Sequence, residues 1–310
     1  MKKSSLKIKR IMKKLLIAYL CLCVAGTVSF FAVGNAIFSY ALLRKSDIGY
    51  TSKQEKRWIA QSSEDMYITS EDGLKLHAHF KMNPEADGRY AIICHGYSGN
   101  ATTMSAWAKE LFSMGFNVLC PNARAHGKSE GNVTGMGYLE RRDIILWIKE
   151  IIKNDPSAQI LLFGVSMGGA TVLFTSGEKN LPENVKAVVS DCAFTRVYEE
   201  FGNVIRRYVS FLPDFPIVDS ASVVCEIRGG YSFRDASCVK AVKRSTTPTL
   251  FIHGSKDTYV PFYMLNKLYK SAGCEKEKLV IDGAGHADAR ETNPELYWST
   301  VSEFINNYFI

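Results

Sequence analysis

Three residues of this chain have the types needed for nucleophilic acyl chemistry and stand in the places that chemistry requires. Ser166 is the middle of Gly164-Val165-Ser166-Met167-Gly168, with Gly169 behind it. Asp257 follows His253-Gly254-Ser255-Lys256, and His286 follows Asp282-Gly283-Ala284-Gly285. A serine hydroxyl is a weak nucleophile until a base takes its proton. An imidazole base in turn needs an acid to fix its tautomer. The acid lies 91 positions after the serine and the base 29 positions after the acid, so only a fold can unite the three.

The segments before these residues are of the kind that would do so. Ile160 to Phe163 is a short apolar run that predicts a buried strand, and Ala170 to Thr175 predicts the helix after it. Strand, sharp turn and helix with serine at the apex make a nucleophile elbow. The flanking glycines have a steric reason, since the turn brings strand and helix backbones together. The helix start offers free N–H groups and a positive dipole end to a developing oxyanion. Thr249 to His253 and Leu279 to Ile281 predict strands ending just before Asp257 and His286. Strand carboxyl ends converge on one crevice in a parallel sheet. Asp282 is a rival acid, but it stands only four residues before His286 on the same loop. The rival histidines are His77 and His79 in an early hairpin, His95, His126, and His253, which ends a strand and is expected to pack.

Further strands are predicted at Tyr90–Cys94, Phe116–Cys120 and Val185–Ser190. Helices are predicted at Ala101–Met114, Glu140–Lys153 and Pro294–Phe309. Met66–Ser70 and Leu74–Phe80 flank Glu71-Asp72-Gly73 and predict an N-terminal β-hairpin. The alternation calls for an α/β fold, a mostly parallel sheet with helices on both faces. Residues 193–247 break the rhythm with an aromatic, basic helix-like piece at Val197–Phe211 and then Pro213, Pro216 and Gly229-Gly230. They are read as a cap inserted over the carboxyl edge of the sheet. Strand Tyr90–Cys94 runs into His95-Gly96-Tyr97, which turns a backbone N–H toward the crevice. The oxyanion donors are therefore assigned to the backbone N–H groups of Tyr97 and Met167, and His95 is assigned a bracing role.

Charge and hydropathy point to a membrane. Of 38 basic and 31 acidic residues, seven basic ones fall in residues 1–14, and without them 31 basic residues balance 31 acidic. The body is thus neutral and no nucleic-acid partner is expected. Leu15–Leu43 is 29 residues without a charge, more than the ~20 a bilayer crossing needs and longer than the apolar core of a cleaved signal peptide. The expectation is a basic cytoplasmic tail (1–14), a single-pass signal anchor (15–43), a linker (44–65) and an extracytoplasmic catalytic domain (66–310) at the cell membrane. The eight cysteines include no C-x-x-C pair, so no metal site is expected, and no Gly-x-Gly-x-x-Gly follows the first strand, so no cofactor is expected.

From about Met66 to Tyr308 the chain resembles the α/β-hydrolase superfamily. The matching motifs are His95-Gly96, Asn122-Ala123-Arg124-Ala125-His126-Gly127-Lys128-Ser129, the Ser166 elbow, His253-Gly254 with Asp257 and Val260-Pro261, and Gly285-His286. Within the superfamily it looks most like the bacterial membrane-anchored Bem46-like and serine-aminopeptidase-like groups. Relatives usually carry Asp-x-Arg-Gly-His-Gly-x-Ser in the second motif, from which Asn122 and Ala125 depart. The resemblance implies a Ser166–His286–Asp257 triad working through an acyl-enzyme. The substrate would be a small acyl ester, the reading favoured by Phe194, Tyr198, Phe201, Tyr208, Phe211 and Phe215 in the cap, or a short peptide or thioester with the same triad. The reading from another class is a non-catalytic, membrane-tethered binding module on a hydrolase fold. That alternative predicts an eroded triad or elbow, and neither is visible in the sequence.

Overall fold

The computed structural model describes residues 2–43 and 57–309. Residues 44–56, most of the stretch expected to be a linker, lie outside the described residues. The six residues from Arg57 to Ser62 form α2, whose Ile59 is fully buried.

Among the described residues eight strands make one sheet: β1 (Glu64–Thr69), β2 (Lys75–Lys81), β3 (Arg89–Cys94), β4 (Asn117–Pro121), β5 (Gln159–Val165), β6 (Val185–Asp191), β7 (Thr249–Gly254) and β8 (Lys276–Ile281). Their spatial order is β1-β2-β4-β3-β5-β6-β7-β8. β2 runs antiparallel to both β1 and β4, and the pairs from β4 onward are parallel. The central strands are apolar at nearly every position because both faces are covered.

Two cores result. On one face α4 (Glu140–Asn154), α5 (Met167–Ser176), α8 (Cys238–Arg244) and α9 (Tyr263–Ser271) bury Trp147, Leu173, Val242 and Leu268. On the other, α2, α3 (Ser105–Ser113) and α11 (Pro294–Asn306) bury Ile59, Trp107, Leu111, Tyr297 and Phe304. α10 (Ala289–Thr292) is a single turn before α11. Helix α1 (Lys2–Ala41) contains all but the last two residues of the charge-free run and packs its end on α7 (Asp214–Gly229).

This is the α/β-hydrolase fold that the resemblance implied. The chain between β6 and β7 differs from the single helix-like piece expected there. It forms α6 (Val197–Tyr208), α7 and α8, and all but the exposed corner between α6 and α7 is well packed. All eight cysteines are free thiols, and six of them are at least half-buried.

Candidate active site

Ser166 leaves β5 with φ 58° and ψ −117°, and Met167 opens α5 immediately after it. A non-glycine residue held in this region is strained, and the surrounding structure must hold it there. The Ser166 N–H is bonded to the Asp191 carbonyl at 2.8 Å, and its carbonyl takes the Ala170 N–H at 2.9 Å. The glycines are required by space. A Cβ on Gly164 would stand 2.1 Å from the Gly168 carbonyl oxygen, and one on Gly168 would stand 2.0 Å from that of Cys94.

β7 and β8 are neighbours, with Gly254 opposite Ile281, so the loops bearing Asp257 and His286 leave the sheet side by side. Those loops are joined by backbone bonds, Ser255 N–H to Ile281 O at 3.0 Å and Lys256 N–H to Ala284 O at 2.9 Å. Asp257 Oδ1 accepts the N–H groups of Tyr259 and Val260 at 2.8 and 2.9 Å. Its Oδ2 lies 2.8 Å from His286 Nδ1. His286 Nε2 lies 2.8 Å from Ser166 Oγ. A carboxylate can only accept, so Nδ1 of His286 carries the proton and Nε2 is left as an acceptor facing the serine hydroxyl. Burial pushes the Asp257 carboxyl up, but the hydrogen bonds and charges of His253 and His286 push it further down, to about 2.

The expected oxyanion loop lies against the serine. A Cβ on Gly96 would be 3.6 Å from Ser166 Cβ. His95 braces this loop as expected: Nδ1 donates to the Gly96 carbonyl at 2.7 Å and Nε2 accepts the Ala123 N–H at 3.0 Å. His126 Nε2 lies 2.7 Å from the Tyr97 carbonyl. Met167, as the first residue of α5, has an N–H with no intrahelical partner.

Asp282 is not brought to His286 and instead accepts from Ser255 Oγ at 2.8 Å. His253 proves to be more than packing, since its Nε2 lies 3.1 Å from Asp257 Oδ2 and 2.9 Å from the Val260 carbonyl. Two buried acids near the site were not singled out from the sequence. Asp191 ends β6 opposite Val165, accepts the Tyr297 hydroxyl at 3.0 Å, and is pushed up to about 6 by burial. Glu200 on α6 is buried with neither carboxyl oxygen hydrogen-bonded, and burial together with the charge of Asp257 pushes it up to about 8. A strand-terminal Asp is a readable signal for the first, whereas nothing in the sequence marks the second.

Among the described residues two groups bring three metal-ligating atoms close together, Cys192/Asp257/His286 and Asp65/His77/His79. In the second, Asn122 Oδ1 accepts the Ala101 N–H at 2.8 Å, so its amide nitrogen donates to His77 Nδ1 at 2.7 Å. His77 Nε2 must then carry the proton it shares with Asp65 at 2.9 Å, which leaves no lone pair for a metal. In the first, Asp257 and His286 are already engaged with each other and with Ser166. The two motif departures have separate outcomes. Asn122 is the hub just described, while Ala125 takes a left-handed φ of 63° that a glycine would adopt freely.

Residues 92–202 match the family model described as alpha/beta hydrolase fold. The uncharacterized protein YqkD of Bacillus subtilis is 29% identical over 218 residues, covering 70% of this chain and 70% of the relative. The uncharacterized membrane protein YNL320W of Saccharomyces cerevisiae is 23% identical over 245 residues, covering 78% of this chain and 79% of the relative. Among solved structures, the Pyrococcus furiosus esterase Pf2001 superposes with a TM-score of 0.67 at 23% identity, covering 86% of this chain and 98% of the esterase. At that identity the likeness speaks for the fold.

Proposed function

Because this chain belongs to the α/β-hydrolase superfamily, we propose that it is a serine hydrolase that cleaves acyl esters through an acyl-enzyme. The observation that carries the reading is the pair of 2.8 Å contacts from Ser166 Oγ to His286 Nε2 and from His286 Nδ1 to Asp257 Oδ2. His286 takes the Ser166 proton as Oγ attacks the acyl carbonyl. Asp257 stays ionised and stabilises the imidazolium. The N–H groups of Tyr97 and Met167 hold the oxyanion, each supplying about 3 kcal/mol of transition-state stabilisation. His286 then gives its proton to the leaving alcohol, and in the second half-reaction it deprotonates the water that clears the acyl group from Ser166.

Ester is preferred to amide on the aromatic content of the helices between β6 and β7, taken as a cap of residues 193–247 on a domain of 66–310. Of the six aromatics expected to form its acyl pocket, Phe194 and Phe201 are buried, whereas Tyr208, Phe211 and Phe215 face outward and form no part of that pocket. No feature of the site favours a peptide or thioester.

On this reading α1 is a retained single-pass anchor, with its basic start cytoplasmic and the catalytic domain extracytoplasmic. The span from Arg10 to Ala41 is long and apolar enough to cross a bilayer, and the yeast relative is described as a membrane protein. Retention is favoured by Gly34, which is buried against α7 so closely that a Cβ there would stand 2.4 Å from the Ser220 carbonyl oxygen, leaving the small residues Gly34-Asn35-Ala36 poorly placed for a signal peptidase.

The test is fluorophosphonate labelling of the full chain in detergent, read by intact mass beside Ser166→Ala. One adduct on the wild type and none on the variant is expected. An unlabelled but folded wild type would remove the catalytic reading in favour of a binding module. Esters of graded chain length against aminoacyl amides then decide the substrate class.

A further inference from the structure

The end of α1 is seated in the folded body. A Cβ on Gly34 would stand 2.4 Å from the Ser220 carbonyl oxygen and 2.8 Å from Val224 Cγ2 of α7. Asn35 accepts Arg228 at 2.8 Å, and the Leu42 carbonyl accepts the Thr134 N–H at 2.8 Å. The Tyr97 hydroxyl donates to the Ala41 carbonyl, which ties the candidate oxyanion loop to α1. No free tether therefore separates the apolar helix from the domain at this point.

The portion of α1 before the seat matches a bilayer. Leu15–Val33 is 19 charge-free residues, almost all of them exposed. At 1.5 Å per residue they span about 28 Å, close to the ~30 Å of a hydrocarbon core. The membrane boundary thus falls at Gly34, level with α7.

Helix α7 runs in the same sense as α1 here. Gly34 meets Ser220 and Val224, while four residues on Phe38 meets Arg228 and Gly229. The start of α7 consequently points toward the membrane, with Pro216 about 6 Å beyond Ser220 in that direction and Phe215, which has left the helical conformation (φ −86°, ψ 133°), directly ahead of it. Phe215 is 71% exposed, and Phe211 and Tyr208 just before it are 83% and 80% exposed. This corner is joined to the catalytic residues, because Arg207 lies over the Tyr259 ring at 5.6 Å and that ring is 5.0 Å from the His286 ring.

We propose that Tyr208, Phe211 and Phe215 insert into the headgroup–acyl boundary of the bilayer that α1 spans, so that the Ser166 crevice draws amphiphilic acyl esters from the lipid rather than from bulk water. Aromatic side chains are favoured at that boundary, and amphipathic segments bury their apolar face to a depth of about 5–10 Å there. The insertion rests on α1 being a bilayer span, and the substrate class rests on the serine-hydrolase reading.

The test uses the full chain in phosphatidylcholine nanodiscs. Phe215→Trp adds an emission that is expected to be quenched when the lipid is brominated high on its acyl chains. Equal emission in brominated and ordinary discs overturns the insertion, whatever the catalytic result. In parallel, Phe211→Glu/Phe215→Glu is expected to lose about tenfold or more of the hydrolysis of a long-chain ester carried in the discs, with a short water-soluble ester cleaved at the wild-type rate. Unchanged cleavage of both esters overturns the substrate route. A wild type that cleaves neither defeats the serine-hydrolase reading and the substrate route, and quenching still decides the insertion.

Discussion

Asp257 Oδ2 lies 3.1 Å from His253 Nε2, so the carboxylate oxygen that faces His286 is shared with a second, fully buried imidazole. With the Tyr259 and Val260 N–H groups on Oδ1, this carboxylate is held from four directions. Burial alone would raise its pKa, and the two imidazoles reverse that, bringing it down to about 2 from an ordinary 3.8. A carboxyl lowered in this way stabilises the fold above pH 3.8, and the contribution is lost as pH falls from 3.8 toward 2.

His253→Phe removes one of those four donors and leaves the Val260 carbonyl without its imidazole partner. An unmet buried acceptor costs roughly 1–3 kcal/mol. Expressed in the transition state, that is about a five- to 150-fold loss of kcat. The Asp257 carboxyl should rise, so acid inactivation should begin at higher pH than in the wild type. His253→Gln, which keeps an N–H donor, should recover part of both effects. A pH series of kcat and melting temperature reads them, and an unchanged acid limb in His253→Phe would show that His253 only fills space.

Glu200 is expected to make the fold less stable as pH rises. Its ordinary value of 4.5 applies unfolded, while burial and the nearby Asp257 charge hold it at about 8 when folded. Between those values the folded chain binds the additional proton, so stability falls across that window and levels off above it. Glu200→Gln matches the protonated side chain in shape and cannot ionise. It should melt close to the wild type at pH 5 and several degrees higher at pH 9. Equal melting temperatures at both pH values would mean that Glu200 ionises without penalty.

Most of the candidate site was legible before the fold because each of its parts carries a local signature. Gly164 and Gly168 are where a Cβ would strike backbone, and only glycine avoids that. Asp257 and His286 follow short apolar runs that end strands, Thr249–His253 inside the sheet and Leu279–Ile281 at the end of its edge strand β8. The role of His253 was hidden because its partner at Asp257 is set by a loop turning back on the strand end, which spacing does not report. Helix α7 was hidden for another reason: its apolar residues are spread around it because α1 packs on one side and the body on another, so no single stripe marks it. The same ambiguity covers the 29-residue apolar run. Composition cannot tell Val33, which is exposed, from Phe38, which is packed on protein.

Ala125 stands where the motif that this chain resembles has glycine, and the structure gives it a left-handed φ of 63° with a buried side chain. Its N–H is bonded to the Glu130 carbonyl at 3.0 Å and the next residue, His126, bonds the Tyr97 carbonyl, so the chain cannot relax by abandoning the turn. An L-residue held there costs about 1–2 kcal/mol. Part of that is offset, because alanine restricts the unfolded chain more than glycine does, by about 0.4–1 kcal/mol. Ala125→Gly should therefore gain up to about 1 kcal/mol, a rise of about 2–4 °C in melting temperature. Since the His126–Tyr97 bond is untouched, the fluorophosphonate labelling rate of Ser166 should stay at the wild-type value. A fall in melting temperature would mean that the alanine methyl contributes more in packing than its backbone loses in strain.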